Sequence, residues 1–138
     1  MKIREVMSSP VIRIQKDETV EVAARALAHY NIGALPVCGS DGRLCGLVTD
    51  RDLVTRCIAA GKNPGQTTVA QVMSGSVVGV RPDLQTDEAA KIMGTRQIRR
   101  LPVLENGKLC GMLSLADLTQ TPSDTAETLG KISSNIRP

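Results

Sequence analysis

Residues 32–52 read IGALPVCGSDGRLCGLVTDRD, and residues 98–117 read IRRLPVLENGKLCGMLSLAD. Both stretches contain, in the same order, Ile, Leu-Pro-Val, a turn glycine, Leu-Cys-Gly, a hydroxyl residue and an acid. The offset between them is 66 residues before the turn and 65 after it, so the second turn is one residue shorter. Chance agreement does not keep both order and spacing over such a length, and the chain therefore contains an internal repeat.

The repeat extends beyond these two stretches. Val6-Met7-Ser8 recurs as Val72-Met73-Ser74, and Pro64-Gly65 marks a loop between the two copies. The resulting division is repeat 1 at residues 3–60, a linker at 61–68, repeat 2 at 69–121 and a polar tail at 122–138.

The spacing of apolar residues predicts how each repeat begins. An extended run comes first, at residues 11–14 and 77–80, and an amphipathic helix follows it. This helix must stop before Leu-Pro-Val, because the residue before a proline is pushed towards extended geometry. The predicted buried face of the helix consists of Val20, Ala23, Ala24 and Leu27 in repeat 1 and of Ala89, Ala90 and Met93 in repeat 2.

Two strands and a second helix complete each repeat. Asp41-Gly42 and Asn106-Gly107 favour hairpin turns between the strands. The second helix of repeat 1 is predicted to run to about Ala60, with Gly61 as its C-terminal cap. A unit of about 50 residues buries little surface by itself. The predicted fold class is therefore α/β (α+β), with two β-α-β-β-α repeats packed sheet to sheet around a pseudo-twofold axis.

The composition argues against several classes of protein. Apolar residues make up 41% of the chain, yet it has one Tyr and no Trp or Phe, so its core must be aliphatic. No apolar run approaches the roughly 20 residues of a membrane span, and the first residues lack the apolar stretch of a signal peptide. The charge of +3 is spread along the chain without a basic block or stacking aromatics. We expect a cytoplasmic protein that binds neither membrane nor nucleic acid.

The sequence contains no motif that is typical of a metal site or of a catalytic site. The four cysteines (Cys38, Cys45, Cys57 and Cys110) form no C-x-x-C pair, and the chain has a single histidine. A zinc site normally needs tighter spacing, so we expect reduced core thiols and no metal site. Phosphate-binding P-loops, nucleophile elbows and H-E-x-x-H helices are also absent from the sequence. We therefore expect no catalytic residues and no enzyme activity.

The motif G-x-x-[ST]-x-x-D occurs at residues 46–52 and 111–117, where a strand meets a helix. In one interpretation the hydroxyl residue and the acid form only a helix capping box. In the other, the free N–H groups at the helix start attract a phosphate, and the acid accepts hydrogen bonds from a ribose diol. The two roles are compatible, and the spacing alone does not decide between them.

Taken together, the repeated motifs closely resemble the tandem cystathionine-β-synthase-like (CBS) domain pair, or Bateman module, over residues 3–121. The resemblance implies the fold given above and two clefts between the repeats that bind adenosine compounds such as AMP, ADP, ATP or S-adenosylmethionine. It also implies a stand-alone bacterial or archaeal protein that forms a homodimer and regulates a partner whose identity the sequence does not give.

Nine residues follow from this resemblance as ligand contacts. The acids would hold ribose hydroxyls, the hydroxyl residues would lie beside phosphate or ribose, and backbone near four apolar residues would line the adenine pockets. A basic residue just before Leu-Pro often meets phosphate in the family; Arg100 has this position in repeat 2, whereas repeat 1 has Ala34. The complete set is Thr49, Asp52, Ser114, Asp117, Arg100, Val11, Val77, Ile32 and Ile98.

The predicted function is a regulatory, ligand-sensing module that requires no cofactor and whose regulatory ligand is an adenine nucleotide or S-adenosylmethionine. Because only repeat 2 has the basic residue, we expect two unequal sites or one occupied site. The alternative is a ligand-free module for dimerisation or protein interaction.

Overall fold

The structure, a computed structural model, describes residues 1–9 and 11–120. It divides into two compact units, one made of residues 12–77 (unit A) and the other of residues 1–11 together with the chain from residue 78 onwards (unit B). The predicted tail at 122–138 lies outside the described residues.

Unit A contains the predicted β-α-β-β-α order. Its elements are β1 (Ile14–Gln15), α1 (Val20–Tyr30), β2 (Ala34–Cys38), β3 (Leu44–Thr49), α2 (Asp50–Leu53), which continues as a π-helical turn over Val54–Ile58, and α3 (Val69–Val72). The three strands form one sheet in the order β1-β2-β3, with β1 parallel and β3 antiparallel to β2. This mixed architecture confirms the predicted fold class.

Helix α1 follows the opening strand and stops before Leu35-Pro36, as predicted. Thr19 caps the start, since its side chain accepts a hydrogen bond from the Val22 N–H at 3.2 Å. Asn31 ends the helix in the left-handed region at φ 53°. Val20, Ala23 and Leu27 face the core, but the prediction was wrong for Ala24, which is exposed.

The second helix of unit A ends close to the predicted position. Its π-helical turn reaches Ile58, and the Gly61 N–H donates to the Ile58 carbonyl at 3.1 Å. Gly61 has φ 73°, the left-handed conformation expected of a glycine C-terminal cap.

Unit B has the same plan with two departures from prediction. Its elements are a 3-10 turn (Ile3–Glu5), α4 (Thr86–Arg96), β4 (Arg100–Glu105), β5 (Lys108–Ser114) and a 3-10 helix (Ala116–Gln120). The buried face of α4 contains Ala89, Ala90 and Met93, as predicted. The second helix, however, takes 3-10 geometry over its described residues. The predicted opening strand at 77–80 is reduced to a single parallel bridge between Val80 and Val103.

A proline explains why this strand is short. In unit A the N–H of Lys16 donates to the Cys38 carbonyl at 3.1 Å and extends the β1–β2 ladder. Pro82 has the equivalent position in repeat 2, and a proline has no N–H to donate. Pairing therefore stops after Val80, whose N–H donates to the Pro102 carbonyl at 3.0 Å.

The compact units do not coincide with the sequence repeats. Unit B contains residues 3–11, the opening segment of repeat 1, and unit A contains residues 69–77, the opening segment of repeat 2. We call these two stretches the exchanged segments. Ile3 is fully buried in the core of unit B with Leu101 and Leu113. Val69 and Val72, from the start of repeat 2, are fully buried in the core of unit A. The limits 3–60 and 69–121 thus describe the sequence repeat, while the opening segments pack in exchanged units.

Each opening segment lies directly against the last strand of its unit. Ser8 exchanges two backbone hydrogen bonds with Met112 of β5, at 2.9 and 3.1 Å. Ser74 does the same with Leu47 of β3, at 3.0 and 2.9 Å. The methionine before each serine covers a glycine on that strand, so Met7 and Met73 are half-buried beside the cores.

A side chain larger than hydrogen at either glycine would meet the methionine above it. A Cβ added to Gly46 would lie 2.5 Å from the Ser74 carbonyl oxygen and 2.8 Å from the Met73 sulfur. A Cβ added to Gly111 would collide with the sulfur of Met7. Since the Ser74 oxygen belongs to the backbone, it cannot move aside as a flexible side chain can.

Replacement of Gly46 by alanine is expected to lower the free energy of unfolding by about 1–3 kcal/mol, because the added methyl group overpacks the contact with the Ser74 backbone. Urea unfolding followed by circular dichroism measures this change. Gly75→Ala is the matched control, since its Cβ would have no atom within 4 Å. Equal stability of Gly46→Ala and Gly75→Ala would contradict the close packing described here.

Candidate functional site

The junction between β3 and α2 in unit A is closed by two reciprocal hydrogen bonds. The Asp52 N–H donates to the Thr49 hydroxyl at 3.1 Å, and the Thr49 N–H donates to Asp52 Oδ2 at 2.9 Å. Both residues are half-buried. This is a complete capping box, and it engages one carboxylate oxygen of Asp52.

Unit B repeats the arrangement after β5. The Asp117 N–H donates to the Ser114 hydroxyl at 3.1 Å, and the Ser114 N–H donates to Asp117 Oδ2 at 2.8 Å. The capping interpretation of the motif is therefore correct in both units. A ligand role remains compatible with it, because a carboxylate has a second oxygen and a hydroxyl has further hydrogen-bonding capacity.

Arg100 lies next to this junction in unit B. It is directly opposite Ser114 in the β4–β5 ladder, and such pairs place their side chains on one face with Cβ atoms about 4.5–5.5 Å apart. The Arg100 side chain is exposed. In unit A the residue opposite Thr49 is Ala34, so the corresponding position carries no charge.

The apolar candidates Ile98 and Ile32 precede these ladder positions. Each follows its helix closely, with its N–H donating to the carbonyl of Met93 at 3.1 Å or of Leu27 at 3.0 Å. Ile98 is half-buried and Ile32 is 37% exposed. In unit B the residue after Ile98 is held to the strand–helix junction, since the Leu115 N–H donates to the Arg99 carbonyl at 2.8 Å.

Val11 and Val77 belong to the exchanged segments and are both half-buried. Val11 follows Ser8, which is bonded to β5 two residues before Ser114. Val77 follows Ser74, which is bonded to β3 two residues before Thr49. Divided by unit, the predicted residues form two sets: Val11, Ile98, Arg100, Ser114 and Asp117 belong to unit B, and Val77, Ile32, Thr49 and Asp52 belong to unit A.

One residue beside the unit A junction was missed by the sequence reasoning. Arg56 Nε lies 3.8 Å from Asp52 Oδ1, and its Nη1 donates to the carbonyls of Val72 and Met73 at 3.4 and 3.3 Å. The spacing of Asp52 and Arg56 at i and i+4 on a helix was the signal that could have found it.

A separate cleft in unit B does not involve the predicted residues. It has a volume of about 410 Å³ and lies at the hairpin end of the β4–β5 sheet, away from Ser114. Its lining includes Arg4, Arg81, Asp83 and Glu105.

The surroundings of Cys38 and Cys110 disfavour the thiolate form. Burial raises the pKa of the Cys38 thiol. Burial is also the main cause that raises the pKa of the Cys110 thiol, and the nearby Glu105 carboxylate adds to it. A raised pKa keeps a thiol protonated at neutral pH, and the protonated form is a poor nucleophile and metal ligand. Among the described residues, no three His, Cys, Asp or Glu side chains are grouped so that they could hold a metal ion.

No helix in the described part of the chain is both long enough and apolar enough to cross a membrane.

Asp117→Ala is expected to lower the free energy of unfolding without any ligand by about 1 kcal/mol, because the Ser114 N–H loses its acceptor. Asp117→Asn should lose less, since its amide oxygen can still accept that hydrogen bond. Chemical denaturation of the two variants measures the difference. Equal stability of Asp117→Ala and the wild-type chain would show that the bond from the Ser114 N–H to the carboxylate contributes nothing.

Comparison with known proteins gives the family. The model of the CBS domain matches residues 3–58 and again residues 69–124. The CBS domain-containing protein YhcV of Bacillus subtilis is 34% identical over 134 residues, which cover 97% of this chain and 94% of that protein. Hypoxic response protein 1 of Mycobacterium tuberculosis is 35% identical over 117 residues, covering 85% of this chain and 82% of the relative.

Solved structures share the fold. The crystal structure of Hypoxic Response Protein I, described with two coordinated zinc ions, has a TM-score of 0.82 at 33% identity and covers 88% of this chain and 100% of its own. The CBS domain pair of protein MJ0100 has a TM-score of 0.77 at 24% identity, covering 87% of this chain and 94% of its own. With a family match in both repeats and relatives of similar length, the chain belongs to the CBS-domain family and carries two CBS domains.

Proposed function

We propose that this CBS-domain pair is a non-catalytic regulatory module that binds an adenosine-containing ligand, either an adenine nucleotide or S-adenosylmethionine. The observation that carries the proposal is the acid in the first turn of the helix that follows the last strand in each unit. Asp52 and Asp117 are each held by backbone through one carboxylate oxygen, Oδ2. An acid oriented in this way presents its other oxygen in a defined direction.

The remaining acceptors suit a ribose. The free carboxylate oxygen can accept from one or both hydroxyls of a ribose diol, and a hydrogen bond to a charged acceptor is stronger than one between neutral groups. Val11 and Ile98 in unit B and Val77 in unit A are half-buried, Ile32 is exposed, and together they offer each set an apolar surface of the kind an adenine ring needs. The fold accommodates adenosine compounds in one solved case, since the MJ0100 pair is described in complex with 5'-methylthioadenosine and S-adenosylmethionine.

The two sites are proposed to be unequal in their affinity for phosphate. Arg100 lies opposite Ser114 in unit B, and its guanidinium can bind a phosphate through two parallel hydrogen bonds. Ala34 in the same place of unit A offers no such contact. We therefore assign a phosphate-bearing ligand to the set around Asp117. Zinc is not proposed, since no suitable group of ligands lies among the described residues.

Thermal unfolding in the presence of AMP, ADP, ATP, S-adenosylmethionine and a GTP control tests the proposal. A ligand at 100 times its dissociation constant stabilises the folded state by about 2.7 kcal/mol. In a domain of this size the midpoint should rise by about 10 °C. The double variant Asp52→Asn, Asp117→Asn is the sharpest comparison, because it keeps both capping oxygens and loses the carboxylate charge.

An adenine compound that shifts the wild-type chain but not this double variant would support the assignment. Equal shifts in both proteins would refute the role of the two acids. If none of the adenine compounds shifts the wild-type chain, the ligand-free interaction module becomes the better account.

A homodimer is the second part of the proposal, and the outer face of the second helix in unit A supports it. Val54 is 58% exposed and Ile58 57% exposed, and their i, i+4 spacing places them side by side. Exposed apolar residues grouped in this way are typical of interaction surfaces. The signal would then pass to another protein through the dimer, because the chain shows no catalytic motif of its own.

The double variant Val54→Ser, Ile58→Ser is expected to convert the dimer into a monomer at micromolar concentration, since it removes the apolar contact. Light scattering coupled to size-exclusion chromatography measures the mass. Ile12→Ser, which changes another exposed apolar residue, is the control and should remain dimeric. A monomeric wild-type chain would contradict the proposed dimer.

A further inference from the structure

Arg56 connects the acid of unit A to the exchanged segment. Its Nε faces Asp52 Oδ1 at 3.8 Å, while its Nη1 donates to the carbonyls of Val72 and Met73. We call these three contacts the Arg56 bridge. The Thr49 N–H already holds the other carboxylate oxygen of Asp52, so the bridge lies on the oxygen that the capping box leaves free.

This position brings the bridge into competition with a ligand. The proposed ribose contact needs the free oxygen of Asp52, and the guanidinium already faces it. The Asp52 side chain is only 16% exposed, so there is little room around the carboxylate for both partners. The Arg56 side chain is 54% exposed and can turn into solvent, and an exposed ion pair of this kind contributes little stability.

Displacement of Arg56 would also affect the exchanged segment. The carbonyls that it binds belong to Val72 and Met73, and the next residue, Ser74, is bonded to β3. The same segment leads to Val77, one of the predicted adenine contacts. The Arg56 side chain thereby connects Asp52 to the backbone of Val72 and Met73, which leads to Val77.

We propose that the Arg56 bridge regulates the unit A site: a ribose diol bound by Asp52 displaces the guanidinium and releases the carbonyls of Val72 and Met73. This inference rests on the proposed adenosine-binding function. It distinguishes the two repeats, because the residue four positions after Asp117 is Thr121 and not a basic residue. Ligand binding in unit A would therefore loosen the exchanged segment through Arg56. Repeat 2 has no arginine at the equivalent position of its sequence, so this route belongs to unit A.

Titration calorimetry with adenosine tests the competition in the full chain carrying Asp117→Asn, which leaves the unit A site to be measured. Adenosine has no phosphate, so loss of Arg56 cannot act through a phosphate contact. Addition of Arg56→Met is expected to tighten adenosine binding by about two- to fivefold, the range that corresponds to an exposed ion pair. Arg51→Met, which removes an exposed arginine from the same helix, is the matched control and should leave the affinity unchanged.

Amide hydrogen exchange provides a second readout that needs no ligand for its first step. In the ligand-free chain, Arg56→Met should speed exchange at the Ser74 N–H, which donates to the Leu47 carbonyl at 2.9 Å, whereas Arg51→Met should not. Saturating adenosine should speed the same exchange in the Asp117→Asn chain. Unchanged exchange at Ser74 in Arg56→Met would overturn the bridge.

The failure of this inference differs from the failure of the proposed function. If neither adenosine nor AMP binds the wild-type chain, the proposed function fails, and the displacement fails with it. If these ligands bind the wild-type chain but adenosine does not bind the Asp117→Asn chain, or Arg56→Met weakens or leaves unchanged its binding there, only the bridge is overturned.

Discussion

The close approach of an extended segment to the last strand of each unit is the constraint on which the rest of the structure depends. A side chain at Gly46 would collide with the Ser74 backbone and with Met73, and one at Gly111 would collide with the Met7 side chain. With glycine there, Ser74 and Ser8 can bond to β3 and β5. This contact holds residues 3–11 in unit B, which contains Asp117, and residues 69–77 in unit A, which contains Asp52.

In the proposed function, the two oxygens of each acid have different roles. One oxygen of Asp52 or Asp117 accepts a backbone N–H and holds the strand–helix junction, so the side chain is oriented before any ligand arrives. Pre-organisation of this kind reduces the entropy lost on binding. The units differ in what surrounds the second oxygen, because Arg100 lies beside the junction in unit B while Arg56 faces the acid itself in unit A.

Local sequence was sufficient to predict much of this structure. Apolar periodicity placed α1 and α4, and Asp-Gly and Asn-Gly placed the two hairpins, because each of these signals acts over a few residues. The exchanged opening segments could not be predicted in this way, since a short apolar segment with the same pattern can pack in either unit. The packing of the two sheets about a twofold axis stays a prediction.

The candidate site was predictable to a similar extent. The motif identified Thr49, Asp52, Ser114 and Asp117, and the structure shows the bonds within each pair. Spacing could not decide between cap and ligand contact, because both roles call for the same residue types at the same positions. Two details depended on tertiary placement. Pro82 shortens a strand because the adjacent strand offers a carbonyl at a position where the proline has no N–H to donate. Arg56 is important because the carbonyls of Val72 and Met73 lie beside its guanidinium.

The central claim is that an adenine nucleotide binds beside Asp117 and Arg100 in unit B. Titration calorimetry of AMP against the single variants Asp117→Asn and Asp52→Asn tests it most directly, since both substitutions preserve the capping oxygen. We predict that Asp117→Asn weakens AMP binding by about tenfold or more, as expected for the loss of a charged hydrogen-bond acceptor, while Asp52→Asn leaves the tighter site intact. Unchanged AMP affinity in Asp117→Asn would contradict this account of the site.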